Sequence, residues 1–199
     1  MTVMVSRRSL LTLGGALALA VAAPAAAHFP GKRSRPVSTR TDLGRRVTGH
    51  VFMPDDTFAP AASVLVVHDD GGVVASLRWF NAEIGRHGFL TTAPDLYEGQ
   101  PAPRLTALEP TRTLDTLGSW LRWQKAHFRS SGKAGVIAFG AGATWMARAA
   151  LTTPIDAMVI YGGPLADPAF EHLAATTPLL LHLSTPDQGE ESSRLQDLD

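Results

Sequence analysis

Gly135-Val136-Ile137-Ala138-Phe139-Gly140-Ala141-Gly142 is the stretch on which the fold turns. Its apolar run reads as a short buried strand, and it passes without a linker through Gly140-Ala141-Gly142 into a helix that ends near Leu151. A strand that turns into a helix this abruptly is the first half of a strand-helix-strand crossover, the unit from which parallel sheets are built.

The same order recurs outward in both directions. Ser63 to His68 carries the continuous run Val64-Leu65-Val66-Val67, expected of a strand covered on both faces. A helix from about Ala75 to His87 follows and is stopped by Gly88, and Phe89 to Ala93 is the next strand, closed by Pro94. Thr111 to Phe128 reads as an amphipathic helix with Leu114, Leu117, Trp120 and Leu121 near one face, and its Trp120 and Trp123 read as helix-to-sheet packing. Asp156 to Tyr161 and Pro178 to Leu183 give two further strands, separated by a turn and a helix around Pro168 to Leu173. Upstream, Val47 to Met53 alternates and reads as an edge strand ended by Pro54.

Three stretches together resemble the dienelactone hydrolase family of the α/β-hydrolase superfamily. They are Val64-Leu-Val-Val-His68-Asp69-Asp70-Gly-Gly72, Gly88-Phe89-x-x-x-Ala93-Pro94-Asp95-Leu96-Tyr97, and Val136-Ile-Ala-Phe139-Gly140-Ala141-Gly142. Ala157 to Gly163 and Pro178 to Asp187 extend the likeness. The resemblance implies an α/β-hydrolase-like, mostly parallel sheet with helices on both faces, truncated after the strand that precedes Asp187. It also implies descent from a carboxylic ester or lactone hydrolase.

In such an enzyme the sharp strand-to-helix turn pushes the central residue of G-x-S/C-x-G into the open beside backbone N–H groups that hold an oxyanion. The resemblance places the nucleophile at Gly140, where no atom can attack a carbonyl, and Ala138 and Ala141 are equally inert. It places the triad acid at Asp187, the oxyanion donors at the backbone N–H groups of Asp70 and Ala141, and Asp69 in the substrate site where relatives carry Glu. The family's histidine falls beyond the acid, whereas here His182 is the last histidine and lies within a strand. The arginine that binds substrate carboxylate falls at about Gly99, with Arg104 nearby but unmatched.

These substitutions predict an impaired or inactive hydrolase, a pseudoenzyme. The alternative is a non-catalytic module that holds a small ester or carboxylate ligand above Asp69, Gly140 and Asp187. A third reading, a metal site built from Asp69, Asp70, Asp95 and Asp187 with His68, has no spacing motif behind it, so neither a metal nor another cofactor is expected. The sheet edge left by a truncated end offers a surface for self-association.

The ends fix the remaining expectations. Ser6-Arg7-Arg8-Ser9-Leu10-Leu11, the apolar run Leu10 to Ala23 and Ala25-x-Ala27 read as a twin-arginine signal peptide over residues 1–27. That run falls short of the roughly 20 residues that span a bilayer. Residues 28–46, with Lys32, Arg33, Arg35, Arg40, Arg45 and Arg46, read as a flexible basic linker, and residues 47–199 as a single domain. Without Arg7 and Arg8 the formal charge is −2, which gives nucleic acid no basic footprint. The chain has no cysteine, so disulfides and thiolate metal sites are excluded. Exported protein, periplasmic or secreted, is expected to begin at His28 on N-terminal sequencing. Replacing Arg7 and Arg8 together by lysine should hold the precursor in the cytoplasm.

Overall fold

The computed structural model describes residues 34–54, 60–101 and 104–183. Seven strands form one sheet: β1 (Arg35–Arg40), β2 (Arg46–Phe52), β3 (Ala61–Val67), β4 (Leu90–Pro94), β5 (Ser130–Phe139), β6 (Ala157–Tyr161) and β7 (Leu179–His182). Their spatial order is β1-β2-β4-β3-β5-β6-β7, with β1 and β2 antiparallel and every pairing from β4 to β7 parallel. The helices are α1 (Ala75–Arg86), α2 (Pro110–Ala126), α3 (Gly142–Ala150) and α4 (Ala169–Thr176).

Strand periodicity divides the core in two. Leu65, Val67, Val136, Ala138, Met158 and Ile160 pack on one face with Leu117, Trp120, Leu121, Met146 and Leu173 from α2, α3 and α4. Val64, Val66, Ile137 and Val159 face the other way, against Ile84, Leu77 and Phe80 of α1. Each fully buried aliphatic side chain contributes about 1.5–3 kcal/mol, so covering both faces of the central strands is the main source of stability. Trp120 is fully buried and meets Trp123 edge-on at 5.4 Å, the packing role read from the sequence. The start of α2 is set by Pro110 and by Glu109, whose carboxylate accepts the Thr111 and Arg112 N–H groups at 2.9 and 2.7 Å. Those two bonds hold the Glu109 carboxyl below its ordinary pKa.

Two expectations at the N-terminal side are corrected. From Arg35 onward the supposed flexible linker is a strand, and Val47 to Phe52 therefore lies inside the sheet instead of at its edge. Val37 and Thr39 turn toward the core while Arg35, Pro36, Ser38 and Arg40 stay exposed, so a two-residue alternation was present beneath the basic composition. A tight turn joins β1 to β2, closed by the Thr41 N–H on the Arg45 carbonyl at 2.8 Å and helped by Gly44 at φ +77°. Arg45 anchors that turn to the body of the domain through Glu98, through Asp115 at 3.4 Å and through the Arg112 carbonyl at 2.7 Å.

Register fixes the functional end of the sheet. Val67 pairs with Ala138, Phe139 with Tyr161 and Tyr161 with His182, so β3, β5, β6 and β7 finish level and their following loops emerge side by side. The fit there depends on backbone approaching backbone: a Cβ on Gly142 would lie 2.2 Å from the His68 carbonyl oxygen. Gly142→Ala is expected to lower unfolding free energy by about 3 kcal/mol or more, the upper range for overpacking. Gly135→Ala, whose Cβ would meet nothing closer than 3.8 Å, should change it by no more than about 0.5 kcal/mol. Urea denaturation of the two variants checks both.

Candidate functional site

Gly140 stands where β5 ends and α3 begins, with φ +52°. Its N–H donates to the Tyr161 carbonyl at 3.0 Å, and its own carbonyl accepts the Ala143 N–H at 3.1 Å, which starts the helix. A Cβ on Gly163 would fall 2.3 Å from the Gly140 carbonyl oxygen, so the bend is walled by glycines on two sides. On its third side, among the described residues, a Cβ on Gly140 would meet only the Cβ of Asp69 within 4 Å, at 3.1 Å. The bend thus aims whatever occupies position 140 outward, beside Asp69.

The loop after β3 supplies the facing wall. Asp69 is exposed, and its Oδ1 accepts the Gly71 N–H at 2.9 Å while its carbonyl accepts the Gly72 N–H at 3.1 Å. Its Oδ2 has no partner among the described residues. Asp70 is turned to structural use, because its Oδ1 accepts the Leu105 N–H at 2.7 Å and its carbonyl accepts the Tyr97 hydroxyl at 3.2 Å. The backbone N–H groups of Asp70 and Ala141 donate to no other described residue, so both sequence-expected oxyanion donors are unengaged.

His68, fully buried, holds this loop from behind. The Leu96 N–H donates to its Nε2 at 3.1 Å, which leaves Nδ1 to carry the proton and donate to the Asp69 carbonyl at 2.6 Å. Burial drives its pKa below 6.5, outweighing the Asp69 backbone bond and the carboxylates of Asp95, Asp69 and Asp70 that act the other way. The ring is therefore neutral with both nitrogens occupied. Asp95 closes the neighbouring turn by accepting the Tyr97 and Gly99 N–H groups at 3.0 and 2.9 Å. Burial and then the carboxylates of Asp70, Asp69 and Asp95 push the Tyr97 hydroxyl up to about 12, which keeps it a donor. The sequence reading missed this support; its available signal was the His68 and Asp95-Leu96-Tyr97 pair of strand ends.

The structure thus brings Asp69, Asp70, Gly140 and Ala141 to one end of the sheet. Asp187 lies outside the described residues, as does the signal segment. His182 is exposed and stacks on Tyr161 at 4.5 Å, which in turn stacks on Phe139 at 5.2 Å, so it packs as a strand residue. Arg104 precedes Leu105 and is carried toward Asp70 by that residue's N–H bond. Among the described residues no group of three or more His, Asp or Glu side chains is placed to hold a metal ion.

A parallel sheet whose functional turn lies between strand and helix, with β2 antiparallel beside β4, defines an α/β-hydrolase-type fold, and solved structures agree. A candidate dienelactone hydrolase from Klebsiella pneumoniae superposes with a TM-score of 0.61 at 14% identity, covering 84% of this chain and 97% of that one. A dienelactone hydrolase-like promiscuous phosphotriesterase from metagenomic libraries gives 0.64 at 18% identity, with 83% and 76% covered. An esterase from Pyrococcus furiosus gives 0.55 at 18%, with 72% and 55% covered. No curated protein matches the sequence. Residues 47–199 match the model of the dienelactone hydrolase family, and the chain belongs to that family.

The His68 geometry carries a signed pH prediction. Because the folded state resists protonating His68 and the unfolded chain does not, this residue's share of stability is intact above about pH 6.5 and is lost as pH falls from there through the lower folded value. His68→Phe should cost about 1–3 kcal/mol at pH 7.5 by stranding the Leu96 N–H. Its stability should also fall less steeply than wild type between pH 6.5 and 5.5 in urea titrations.

Proposed function

We propose that this member of the dienelactone hydrolase family is an exported ester or lactone hydrolase by descent whose covalent route is disabled at Gly140. The single observation that carries the reading is the geometry of that residue: a bend at φ +52°, held between Gly142 and Gly163 and meeting only the Asp69 Cβ within 4 Å of its side-chain position among the described residues, ends in a hydrogen atom. Covalent acyl transfer needs an oxygen or sulfur there and a base beside it. His68, the histidine next to the bend, has both ring nitrogens committed to backbone groups. In this reading Asp187 is a relic of the triad acid.

What persists is the half of the site made of backbone. The unengaged N–H groups of Asp70 and Ala141, with the N-terminal end of α3 behind Ala141, suit the oxygen of an ester, lactone or carboxylate. That favours a second reading, a small-ligand-binding module without turnover, recognised by a melting temperature that rises with added carboxylate or lactone while no product forms.

The chain contains no cysteine, so Gly140→Cys introduces a single thiol. After incubation with an aryl acetate, intact mass measurement is expected to show no acetyl adduct on the native chain and one adduct on Gly140→Cys. The variant should also be less stable by about 1–2 kcal/mol, since a side chain is being placed at a left-handed φ. An acyl adduct on any residue of the native chain overturns the reading.

A further inference from the structure

We infer that Asp69 is a general base for direct hydrolysis of aryl esters, acting on a water molecule in the space that Gly140 leaves beside it. The inference rests on the reading of Gly140 given above and goes beyond it, because it assigns the disabled site a non-covalent reaction and a substrate class.

Three observations meet at this point. Among the described residues, the region into which a side chain at position 140 would project meets only the Asp69 Cβ within 4 Å, at 3.1 Å, and glycine itself fills none of it. Asp69 Oδ1 is fixed by the Gly71 N–H, which holds the carboxylate in one orientation and leaves Oδ2 without a partner among the described residues. The residues that directly follow Asp69 and Gly140 in the chain, Asp70 and Ala141, have backbone N–H groups that donate to no other described residue. An ordered water needs two to four polar partners; before substrate binds, Asp69 Oδ2 and one of these N–H groups supply two, and the carbonyl oxygen then takes over the N–H. The other groups near the bend are spent: His68 on Leu96 and Asp69, Asp70 on Leu105, Asp95 on its own turn.

In the reaction, the water oxygen bonds to the acyl carbon as one of its protons passes to Asp69 Oδ2. The carbonyl oxygen becomes an oxyanion held by the Asp70 and Ala141 N–H groups. Collapse of this intermediate breaks the acyl carbon to aryl oxygen bond, expels a phenolate and leaves a carboxylic acid. That acid ionises, and the proton on Asp69 returns to solvent. The substrate class follows from what the site lacks. Among the described residues His68 has both ring nitrogens committed to the backbone, so with no described imidazolium to protonate it the leaving group departs as an anion. A phenol with a pKa of about 10 or below can do so, and an alkyl alcohol, close to water in acidity, cannot.

The test uses the full chain with 4-nitrophenyl acetate and ethyl acetate. Hydrolysis of the aryl ester above the buffer rate is expected, with no turnover of the alkyl ester. Asp69→Asn should lower kcat/KM about 100-fold, within the range for removing a general base. Its melting temperature should be unchanged, because the amide oxygen still accepts the Gly71 N–H. A rate in Asp69→Asn equal to wild type, equal turnover of the alkyl ester, or a native rate no faster than buffer each overturns the inference and leaves the binding role of the site standing. An acyl adduct on the native chain overturns the reading of Gly140 itself.

Discussion

Contact of main chain on main chain at the carboxyl ends of β3, β5 and β6 is the constraint on which the molecule is organised. Gly142 lets α3 start directly against the His68 carbonyl, and Gly163 lets the loop after β6 lie on the Gly140 carbonyl. Neither approach tolerates a methyl group. Because these strands finish level, the two contacts fix the position of the β3 loop, the strand-to-helix bend and the end of β6 together. Dense packing of this kind gives a site its rigidity without any side chain contributing chemistry.

A second layer holds the loop ends in place through polar groups that are fully used. His68 bridges Leu96 and Asp69, Tyr97 reaches back to Asp70, and Asp70 in turn fastens Leu105. Trp145 completes the link by donating its indole N–H to the Leu105 carbonyl at 2.9 Å. Each bond is worth only about 1 kcal/mol on its own. Together they join the β3 loop, the β4 loop and α3, so Asp69 and Gly140 are positioned by three elements distant in sequence. That is why these aspartates, which look alike in the sequence, divide their work: Asp95 and Asp70 serve the scaffold, and Asp69 keeps an oxygen for solvent.

Legibility followed the physics of burial. Strands covered on both faces announce themselves as unbroken apolar runs, and β3, β5 and β6 were readable for that reason. The strand β1 was not, because it borders the sheet and carries Arg35, Pro36 and Arg40 outward, so composition outweighed the weak alternation of Val37 and Thr39. Losing β1 also made β2 look like an edge. At the site, Gly140, Ala141, Asp69 and Asp70 were singled out by the resemblance to the dienelactone hydrolase family, and the structure brings them to one end of the sheet. Their partners were invisible, since hydrogen bonds such as His68 to Leu96 span turns whose geometry no local pattern encodes.

Glycine at position 140 is the least strained solution for the fold and the poorest for covalent chemistry. A φ of +52° costs a side-chain-bearing residue about 1–2 kcal/mol, and the 3.1 Å approach to Asp69 would add crowding. An enzyme that forms an acyl intermediate must bear that strain to present its nucleophile. Where no side chain is required at this φ, glycine is the residue that local stability favours. Glycine there leaves the side-chain position next to the Asp69 Cβ unfilled. The placement of this bend beside Asp69 therefore follows from the rigidity of the backbone contacts and not from any side chain held for catalysis.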